Sequence, residues 1–396
     1  MLTEKFGRSY GGDVHPTGGV HALVRRAHEE RVLAILRERG GLSRAQIATR
    51  VGLSRTTLSE ITGDLLARGA IVVVTTDAEQ RAGSGRPAEL LSLDPHSGQF
   101  LGVDLGHTRV RVAVADAAHE IIADGLSSYS VDTAWTDRLA AAFALIDRMG
   151  RESGVSYQAL QGIGVGVAGP QPAAGPRAEV LAAFGARFRA PVIVDNNTRF
   201  AALAEAIADG PDASDVLYIR LSDGIGGGLV VGGRLVAGRY GVAGEFGHVP
   251  VNRSGELCRC GKRGCLETVA SVPAVLQACK LARLEDLAAA LAEGDSTAAA
   301  VTAEVATAVG RVLADAALIL NPEQIVIGGR LVRAAPAIVG RAAELVQNEL
   351  ISVGGDRPVI RAARLGDDDG ARGAIAALFR QSPLLAGYPD PLGSIR

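Results

Sequence analysis

The chain has 396 residues, enough for two or three domains with hydrophobic cores, and a net charge of −2, which argues against a general nucleic-acid binder. Although 47% of the residues are hydrophobic, no uninterrupted apolar run approaches the roughly 20 residues that span a membrane. The four cysteines are clustered, which favours metal binding in a reducing cytoplasm over a disulfide framework.

The first 93 residues predict a flexible tail and a small DNA-binding domain. Residues 1–20 are polar and glycine-rich and lack the features of a signal peptide. Residues 20–90 contain 11 Arg against 8 Asp and Glu, so this segment is basic while the remainder of the chain is acidic. Apolar residues recur at helical spacing in three segments, 21–39, 44–50 and 54–68, with a turn at Gly52. Strand-like runs at 71–74 and 89–93, joined by a Gly/Arg-rich loop at 81–87, predict the hairpin of a winged helix-turn-helix.

Candidate DNA contacts lie at the starts of the second and third helices and on the hairpin loop. An ordinary three-helix bundle would show a similar periodicity, but a packing helix does not need so many small hydroxyl residues at its N-terminal end. An arginine on a glycine loop suits a phosphate or a narrow minor groove. The predicted contacts are Ser43, Arg44, Ser54, Arg55, Thr56, Thr57, Ser59 and Arg86.

Beyond a linker at 94–98, the pattern changes to alternating strands and helices. Short apolar runs predict strands at 100–103, 109–114, 163–167, 192–194, 216–219 and 325–327. Ala-rich stretches predict helices at 137–149, 198–208, 273–293 and 298–319. This alternation predicts sheets covered by helices, and therefore an α/β fold.

Three of the four cysteines fall within eight residues, and a histidine lies ten residues upstream. These four potential ligands are His248, Cys258, Cys260 and Cys265. One imidazole and three thiols form the ligand set of a closed structural zinc site. Gly261 and Gly264 would let the cysteine loop wrap tightly round a tetrahedral ion, and the charged residues between the cysteines disfavour free thiols in a core. Cys279, in a predicted Ala/Leu-rich helix, is expected to be a buried small residue.

Two motifs carry a family resemblance. Residues 244–248 read Gly-Glu-Phe-Gly-His, and residues 258–267 read Cys-Arg-Cys-Gly-Lys-Arg-Gly-Cys-Leu-Glu. With the helix-turn-helix pattern, they resemble the ROK family (repressors, open reading frames and kinases), in particular its transcription-factor branch. The resemblance implies a two-lobed ATPase fold of the actin/hexokinase type behind the winged helix-turn-helix. The implied organisation is a tail at 1–20, a DNA-binding domain at 21–93, a small lobe at 98–198 joined by a C-terminal helix at about 371–382, and a large lobe at 199–370 with a zinc loop at 245–267.

The resemblance also implies roles for individual side chains. His248, Cys258, Cys260 and Cys265 would hold a structural Zn²⁺, and a sugar would be bound by Asn196, Asn197, Glu245, His248 and Glu267. Carboxylates and amides engage vicinal hydroxyls as acceptors or donors, which suits polyols. The alternative for Glu245 is a solvated surface charge, but the glycines on either side of it favour a tight, ligand-facing turn.

Three departures from the family's kinase pattern argue against catalysis. Where the kinases read Glu-Asn-Asp-Ala-Asn, residues 195–199 read Asp-Asn-Asn-Thr-Arg, so Asn197 stands at the position of the catalytic base. An amide cannot take a hydroxyl proton near neutral pH, and loss of a positioned base costs on the order of 10²–10⁴-fold in rate. His107 replaces a glycine of the first phosphate loop, and Asp223 adds a negative charge to the second.

The resemblance therefore implies a sugar-responsive DNA-binding transcriptional regulator, expected to repress genes of carbohydrate uptake or metabolism and not to be an enzyme. A cytoplasmic homodimer or homotetramer would bind double-stranded operator DNA and a sugar or sugar-phosphate effector, with no membrane partner. The alternative is an ATP-dependent sugar kinase with a fused DNA-binding head, using Asp195 as a displaced base. A third hypothesis is a vestigial sugar site in a protein that answers to a partner protein.

Overall fold

The computed structural model describes residues 28–29, 31–33, 35–36, 39, 41–67, 71–76, 89–93, 99–116, 121–153, 155, 157, 160–169, 176–188, 190–208, 215–351, 357–366 and 369–381. The chain divides into two compact units, one that includes the residues up to Asp94 and one running Pro95–Ser382. The predicted tail at 1–20, the linker at 94–98 and the loop at 81–87 with Arg86 lie outside the described residues. No helix within the described ranges is long and apolar enough to cross a membrane.

The first unit combines helices with a three-stranded antiparallel sheet. Residues 28–29, 31–33, 35–36 and 39 are helical. They are followed by β1 (Leu42–Ser43), α1 (Arg44–Val51), α2 (Arg55–Ala67), β2 (Ile71–Thr76) and β3 (Glu89–Leu93), with strand order β1-β3-β2. Gly52 ends α1 in the left-handed region, at φ 69°, and makes the tight turn before α2. The core is apolar, with Ile47, Leu58, Ile61, Leu65 and Leu91 all buried.

The second unit contains two five-stranded sheets. The sheet of the N-terminal lobe consists of β4 (Gln99–Leu105), β5 (Arg109–Ala115), β6 (Ile121–Ser128), β7 (Leu160–Val167) and β8 (Val192–Asn196), in the order β6-β5-β4-β7-β8. The β4-β7-β8 part is parallel, and β5 and β6 extend it as an antiparallel meander. Helices α3 (Trp135–Ser153) and α4 (Pro176–Arg187) contribute buried residues to the same core.

The sheet of the C-terminal lobe has the order β11-β10-β9-β12-β13. Its strands are β9 (Val216–Leu221), β10 (Ile225–Val231), β11 (Arg234–Leu235), β12 (Gln324–Gly328) and β13 (Val359–Ala362). Between the lobes' strands the chain forms α5 (Asn197–Ile207), and within the C-terminal lobe it forms α6 (Glu267–Ala270), α7 (Val272–Cys279), α8 (Leu284–Ala292), α9 (Ser296–Leu320), α10 (Arg330–Ala334) and α11 (Ala337–Glu349).

The last described helix, α12 (Asp369–Gln381), packs back onto the N-terminal lobe. Its contact with the sheet is close because glycines leave no side chain in the way: a Cβ on Gly102 would lie 2.2 Å from the carbonyl oxygen of Ala371. The same helix packs on α5, where a Cβ on Gly373 would lie 1.7 Å from the carbonyl oxygen of Phe200. Residues far apart in the chain therefore build the floor of the region between the two sheets.

The α/β fold class with an N-terminal winged helix-turn-helix is confirmed. One predicted helix is wrong: the stretch 273–293 forms two helices, because Lys280 takes the left-handed conformation, at φ 56°, and ends α7. Arg283 is extended and begins α8, with Asp286 accepting from its backbone N–H at 3.1 Å. The strands β6 and β13 and the helices α4 and α11 were not predicted. In α11 the buried residues Ile338, Ala342 and Val346 recur at helical spacing, so the signal for this helix was present in the sequence.

Candidate DNA-binding helix, ligand cleft and metal cluster

The helix α2 presents an exposed polar face in the first unit. Its apolar residues Leu58, Ile61 and Leu65 are buried, while Arg55, Thr56 and Ser59 point to solvent. Ser54 precedes the helix and accepts a hydrogen bond from the backbone N–H of Thr57 at 3.1 Å, so these two hydroxyl residues form its N-terminal cap. A helix with one packed face and a short-chain polar face can enter a DNA groove.

Ser43 and Arg44 are instead engaged within the protein. Ser43 is 6% exposed and forms a capping box with Gln46 at the start of α1. The Arg44 guanidinium bonds to Glu89 on β3 at 2.7 Å and to the Thr62 hydroxyl on α2 at 3.2 Å. Both residues therefore hold elements of this unit together, and their role as DNA contacts stays a prediction.

A cleft lined by polar and charged side chains from both sheets opens between the two sheets of the second unit. The turn at 106–109 after β4 and the turn at 222–224 between β9 and β10 form its rim. Four of the five predicted sugar ligands line it: Asn196, Asn197, Glu245 and His248. The cleft is thus built where the ends of β4 and β8 meet the β9–β10 hairpin.

Asn197, at the position of the kinase base, is 6% exposed and hydrogen-bonded. Its Nδ2–H donates to Oδ1 of Asp104 at 2.8 Å, and Asp104 is itself 7% exposed. The amide is therefore fixed as a donor to a buried carboxylate at the end of β4. An aspartate at 197 would place two carboxylates in contact at this point.

Asn196 uses its side chain to begin α5. Its Oδ1 accepts from the backbone N–H of Thr198 at 2.7 Å, and its Nδ2–H donates to the carbonyl of Gly169 at 2.9 Å. The preceding Asp195 forms an ion pair with Arg199, which is buried and also donates to the carbonyl of Gly241 at 2.7 Å. These contacts orient Asn196 and Asn197 at the cleft wall.

The two glutamates of the predicted sugar site differ in their surroundings. Glu245 lines the cleft, and burial raises its pKa while the charge of Arg199 lowers it. Glu267 lies behind the wall, where its Oε2 accepts from the backbone N–H of Ile225 at 2.9 Å and its Oε1 lies 2.8 Å from Nε of Arg259. Arg259, from the cysteine loop, therefore covers the Glu267 carboxylate and lines the cleft in its place.

His107, which stands on the rim, is held neutral near pH 7. Burial lowers its pKa, and the nearby positive charges of Arg259 and Arg138 lower it further, while Asp223 and Glu267 act in the opposite direction. A neutral imidazole offers one donor and one acceptor to a ligand hydroxyl.

The predicted zinc ligands converge. One donor atom from each of His248, Cys258, Cys260 and Cys265 lies within 4.8 Å of all the others. The Sγ of Cys258 is 3.6 Å from Nδ1 of His248, and the Sγ atoms of Cys260 and Cys265 are also 3.6 Å apart. Ligands of a tetrahedral ion with Zn–S bonds near 2.3 Å are separated by about 3.8 Å. The residues present therefore fit a zinc ion.

The backbone around the cluster forms tight turns that the glycines permit. Gly264 lies at φ 62°, and a Cβ there would be 1.3 Å from the carbonyl oxygen of Asn252, so no other residue fits. The Cys258 N–H donates to the carbonyl of Lys262 at 2.7 Å, which closes the loop between the cysteines. Burial raises the pKa of Cys265 to about 12, so its thiolate needs a cation as a partner.

Arg220, which lines the cleft, and its buried partner Asp369 were not among the predicted site residues. Arg220, within the buried strand β9, pairs with Asp369 at the start of α12, and its Nη1 lies 3.9 Å from Oδ2 of Asp104. The Tyr218 hydroxyl donates to Asp369 at 2.6 Å, and burial raises the pKa of Asp369 to about 6. The signal in the sequence was Arg220 itself, because an arginine within an otherwise apolar strand indicates a buried carboxylate partner.

Asp223 connects the two sides of the rim. Its Oδ2 accepts from the Thr108 hydroxyl at 3.3 Å, and its Oδ1 lies 3.0 Å from Nη1 of Arg330 at the start of α10. The charge predicted for the second phosphate loop is thus already paired within the protein.

Comparison with known proteins agrees with this architecture. Residues 100–382 match the ROK family, and residues 25–72 match winged helix-turn-helix DNA-binding domains. The transcriptional dual regulator NagC of Escherichia coli K12 is 28% identical over 388 residues, covering 90% of this chain and 93% of NagC. The kanosamine kinase of Amycolatopsis mediterranei S699 is 31% identical over 298 residues, covering 70% of this chain and 94% of the kinase.

A solved structure is similar over most of the chain. The crystal structure of a ROK family transcriptional regulator, a homologue of the E. coli MLC protein, is similar with a TM-score of 0.70 and 25% identity, covering 92% of this chain and 98% of that one. Regulators and kinases are therefore both among the relatives. Because the family match spans most of its length, the chain belongs to the ROK family.

Proposed function

We propose that this ROK protein is a sugar-responsive, DNA-binding transcriptional regulator whose ROK domain binds a sugar without phosphorylating it. The observation that carries the proposal is the side chain at the position of the kinase base, where the Nδ2–H of Asn197 donates to Asp104 at 2.8 Å. An amide held as a donor does not accept the proton of an attacking hydroxyl. Similarity to NagC over 90% of the chain supports the same function.

The DNA-binding part of the proposal rests on the exposed face of α2. Arg55, Thr56 and Ser59 would contact the operator, with Ser54 and Thr57 at the start of the helix. Arg86, which lies outside the described residues, would contact the DNA backbone or the minor groove from the wing. Arginine supplies the charge for phosphates, and the short hydroxyl side chains allow the helix to approach base edges.

The effector part of the proposal rests on the cleft. Asn196, Asn197, Glu245 and His248 face the same space and offer the donors and acceptors that ring hydroxyls require. Glu267 would join them if Arg259 moved aside, since its carboxylate lies directly behind that guanidinium. A structural zinc at the four ligand residues would fix the loop that carries His248 and Arg259.

The regulator is proposed to be a cytoplasmic repressor of carbohydrate genes that acts as a homodimer or homotetramer. Two helix-turn-helix heads related by a twofold axis would match an inverted-repeat operator. Sugar binding would favour one arrangement of the lobes and so change the affinity for that operator.

A sugar kinase with a fused DNA-binding head is the second candidate, favoured by the similarity to kanosamine kinase over 94% of that enzyme. In that case another carboxylate would have to replace the missing base. Asp195 is the nearest in sequence, but it is ion-paired with the buried Arg199. A carboxylate that is already bonded to a buried arginine is not free to approach a sugar hydroxyl, which supports the regulator over the kinase.

A gel-shift titration on the DNA upstream of the protein's own gene, with and without a panel of sugars, tests the proposal. We expect a specific shift that one sugar abolishes or strengthens. Arg55→Ala should weaken the complex about tenfold or more and flatten its salt dependence, whereas Arg151→Ala, an exposed arginine on α3, should do neither. A shift that no sugar alters, or ATP-dependent sugar phosphorylation by the unmodified protein, would contradict the proposal.

A further inference from the structure

Asp223 carries a negative charge at the rim of the cleft, where it contacts two hydrogen-bond donors, Thr108 and Arg330. It stands in the turn between β9 and β10, and one carboxylate oxygen accepts from Thr108 while the other pairs with Arg330. Thr108 comes from the N-terminal lobe and Arg330 from the C-terminal lobe. A hydroxyl from one lobe and a guanidinium from the other are donors that a phosphate group would use. In this protein an internal carboxylate already holds them.

The other cations of the cleft are also engaged. Arg220 pairs with the buried Asp369, and Arg259 pairs with Glu267. Arg109 and Arg111 likewise have interaction partners. Among the lining cations whose contacts the structure describes, Arg220 and Arg259 are therefore each paired with a carboxylate of the protein. The lining carboxylate of Glu245 adds a further negative charge.

We propose that the effector of this cleft is a neutral, unphosphorylated sugar, and that Asp223 excludes sugar phosphates and nucleotides by occupying the position of their phosphate group. This inference rests on the proposed function, since it concerns the same cleft. A phosphate entering the cleft would have to displace the carboxylate from Thr108 and Arg330 and would still lie beside it. A neutral sugar avoids this repulsion and uses the hydroxyl-binding groups at Asn196, Glu245 and His248.

Binding of matched ligand pairs, measured by isothermal titration calorimetry on the full-length zinc-loaded protein, tests the inference. The pairs are glucose with glucose 6-phosphate and N-acetylglucosamine with its 6-phosphate, together with xylose and inorganic pyrophosphate alone. The unmodified protein should bind a neutral sugar and bind the corresponding phosphate at least about tenfold more weakly, if at all. Pyrophosphate should not bind measurably.

Asp223→Asn isolates the charge, because the amide keeps the size of the side chain and its oxygen still accepts from Thr108 or Arg330. We expect the variant to bind pyrophosphate and the sugar phosphate at least about tenfold more tightly than the unmodified protein, with neutral-sugar affinity within about twofold. Glu152→Gln, which removes one exposed carboxylate from α3, controls for the change in net charge and should alter none of these affinities.

Tighter binding of a sugar phosphate than of its parent sugar by the unmodified protein would overturn the inference. So would equal pyrophosphate binding by the unmodified protein and Asp223→Asn, even when no sugar of the panel binds. Failure of the proposed function is distinct, because it appears as operator binding that no sugar and no sugar phosphate changes. Circular dichroism of Asp223→Asn and of Asp223→Ser verifies that the ligand comparison is made on folded protein.

Discussion

Asn197→Asp restores the carboxylate of a kinase base, and we expect it to destabilise the protein without restoring phosphorylation. The Nδ2–H of Asn197 now donates to Asp104 at 2.8 Å, and both side chains are buried. In the variant this hydrogen bond is replaced by two carboxylates in contact. His107 and Asp223 would still obstruct a nucleotide phosphate, so the new carboxylate has no phosphoryl donor to serve.

The magnitude follows from the geometry. Two unit charges 2.8 Å apart repel by about 6 kcal/mol at an effective dielectric constant of 20. Protonating one of the two carboxyls instead costs about 4 kcal/mol at pH 7 for an aspartic acid of ordinary pKa, and about 1.5 kcal/mol at pH 5. The smaller of these two penalties limits the effect, so the free energy of unfolding of the variant should fall by at most about 4 kcal/mol at pH 7. The two carboxyls of the folded variant share one proton that the unfolded chain does not bind at pH 7. The loss of unfolding free energy therefore becomes smaller as the pH falls.

Urea unfolding at pH 7 and pH 5 measures the effect through the fluorescence of Trp135, the single tryptophan of the chain, which lies on α3 of the same lobe as Asp104. Asn252→Asp is the matched control. Its Oδ1 accepts from the backbone N–H of Ser254 at 3.1 Å on an exposed loop, so a carboxylate there keeps the bond. Equal stability of Asn197→Asp and the unmodified protein at pH 7, or an equal loss at both pH values, would refute the reasoning.

Three further outcomes are expected. Amide hydrogen exchange over residues 245–267 should become faster when bound metal is chelated or when Cys260 is replaced in Cys260→Ser. Cys279→Ser, which lies outside the cluster, should leave the exchange unchanged. Unchanged exchange after chelation would argue against a structural ion. Gly373→Ala should lower the free energy of unfolding, measured with urea, by about 3 kcal/mol or more, because its Cβ would lie 1.7 Å from a carbonyl oxygen of α5. Gly340→Ala, which has open space beside it, should raise the free energy of unfolding by up to about 1 kcal/mol. Similar effects of the two substitutions would contradict the described packing. The lowered pKa of His107 means that the folded protein binds a proton at this imidazole less readily than the unfolded chain, so the protein should lose thermal stability as the pH falls below 6.5. His107→Asn should reduce that loss. Parallel curves of thermal stability against pH for the variant and the unmodified protein would show that His107 is not the group responsible.

Features encoded by short stretches of sequence were predictable. The metal cluster is one, because a cysteine loop with glycines at Gly261 and Gly264 specifies its own turn, and one histidine ten residues away completes the set. Many of the strands and helices followed from apolar periodicity, and the family motif indicated the way they assemble. The position of Asn197 in the cleft followed from the same motif.

Features that depend on distant residues were not predictable from pattern. Arg220 and Asp369 are 149 residues apart in sequence, and only the packing of α12 brings them together. The contact between Arg259 and Glu267 was not predicted either, because it forms only when the cysteine loop folds next to the start of β10. The break at Lys280 was missed because a lysine, not a glycine, takes the left-handed conformation there.

The packing of α12 onto β4 also sets the order in which the chain acquires its structure. Helix α12 follows β4 by more than 250 residues, so at 5–20 residues per second the ribosome needs about 13–50 s to supply it. During that interval the sheet of the N-terminal lobe lacks the helix that covers Phe100 and Ala113. The helix-turn-helix, whose described elements end at Leu93, is complete long before. A chain truncated before α12 would therefore keep the described elements of the first unit while losing the helix that packs under the cleft.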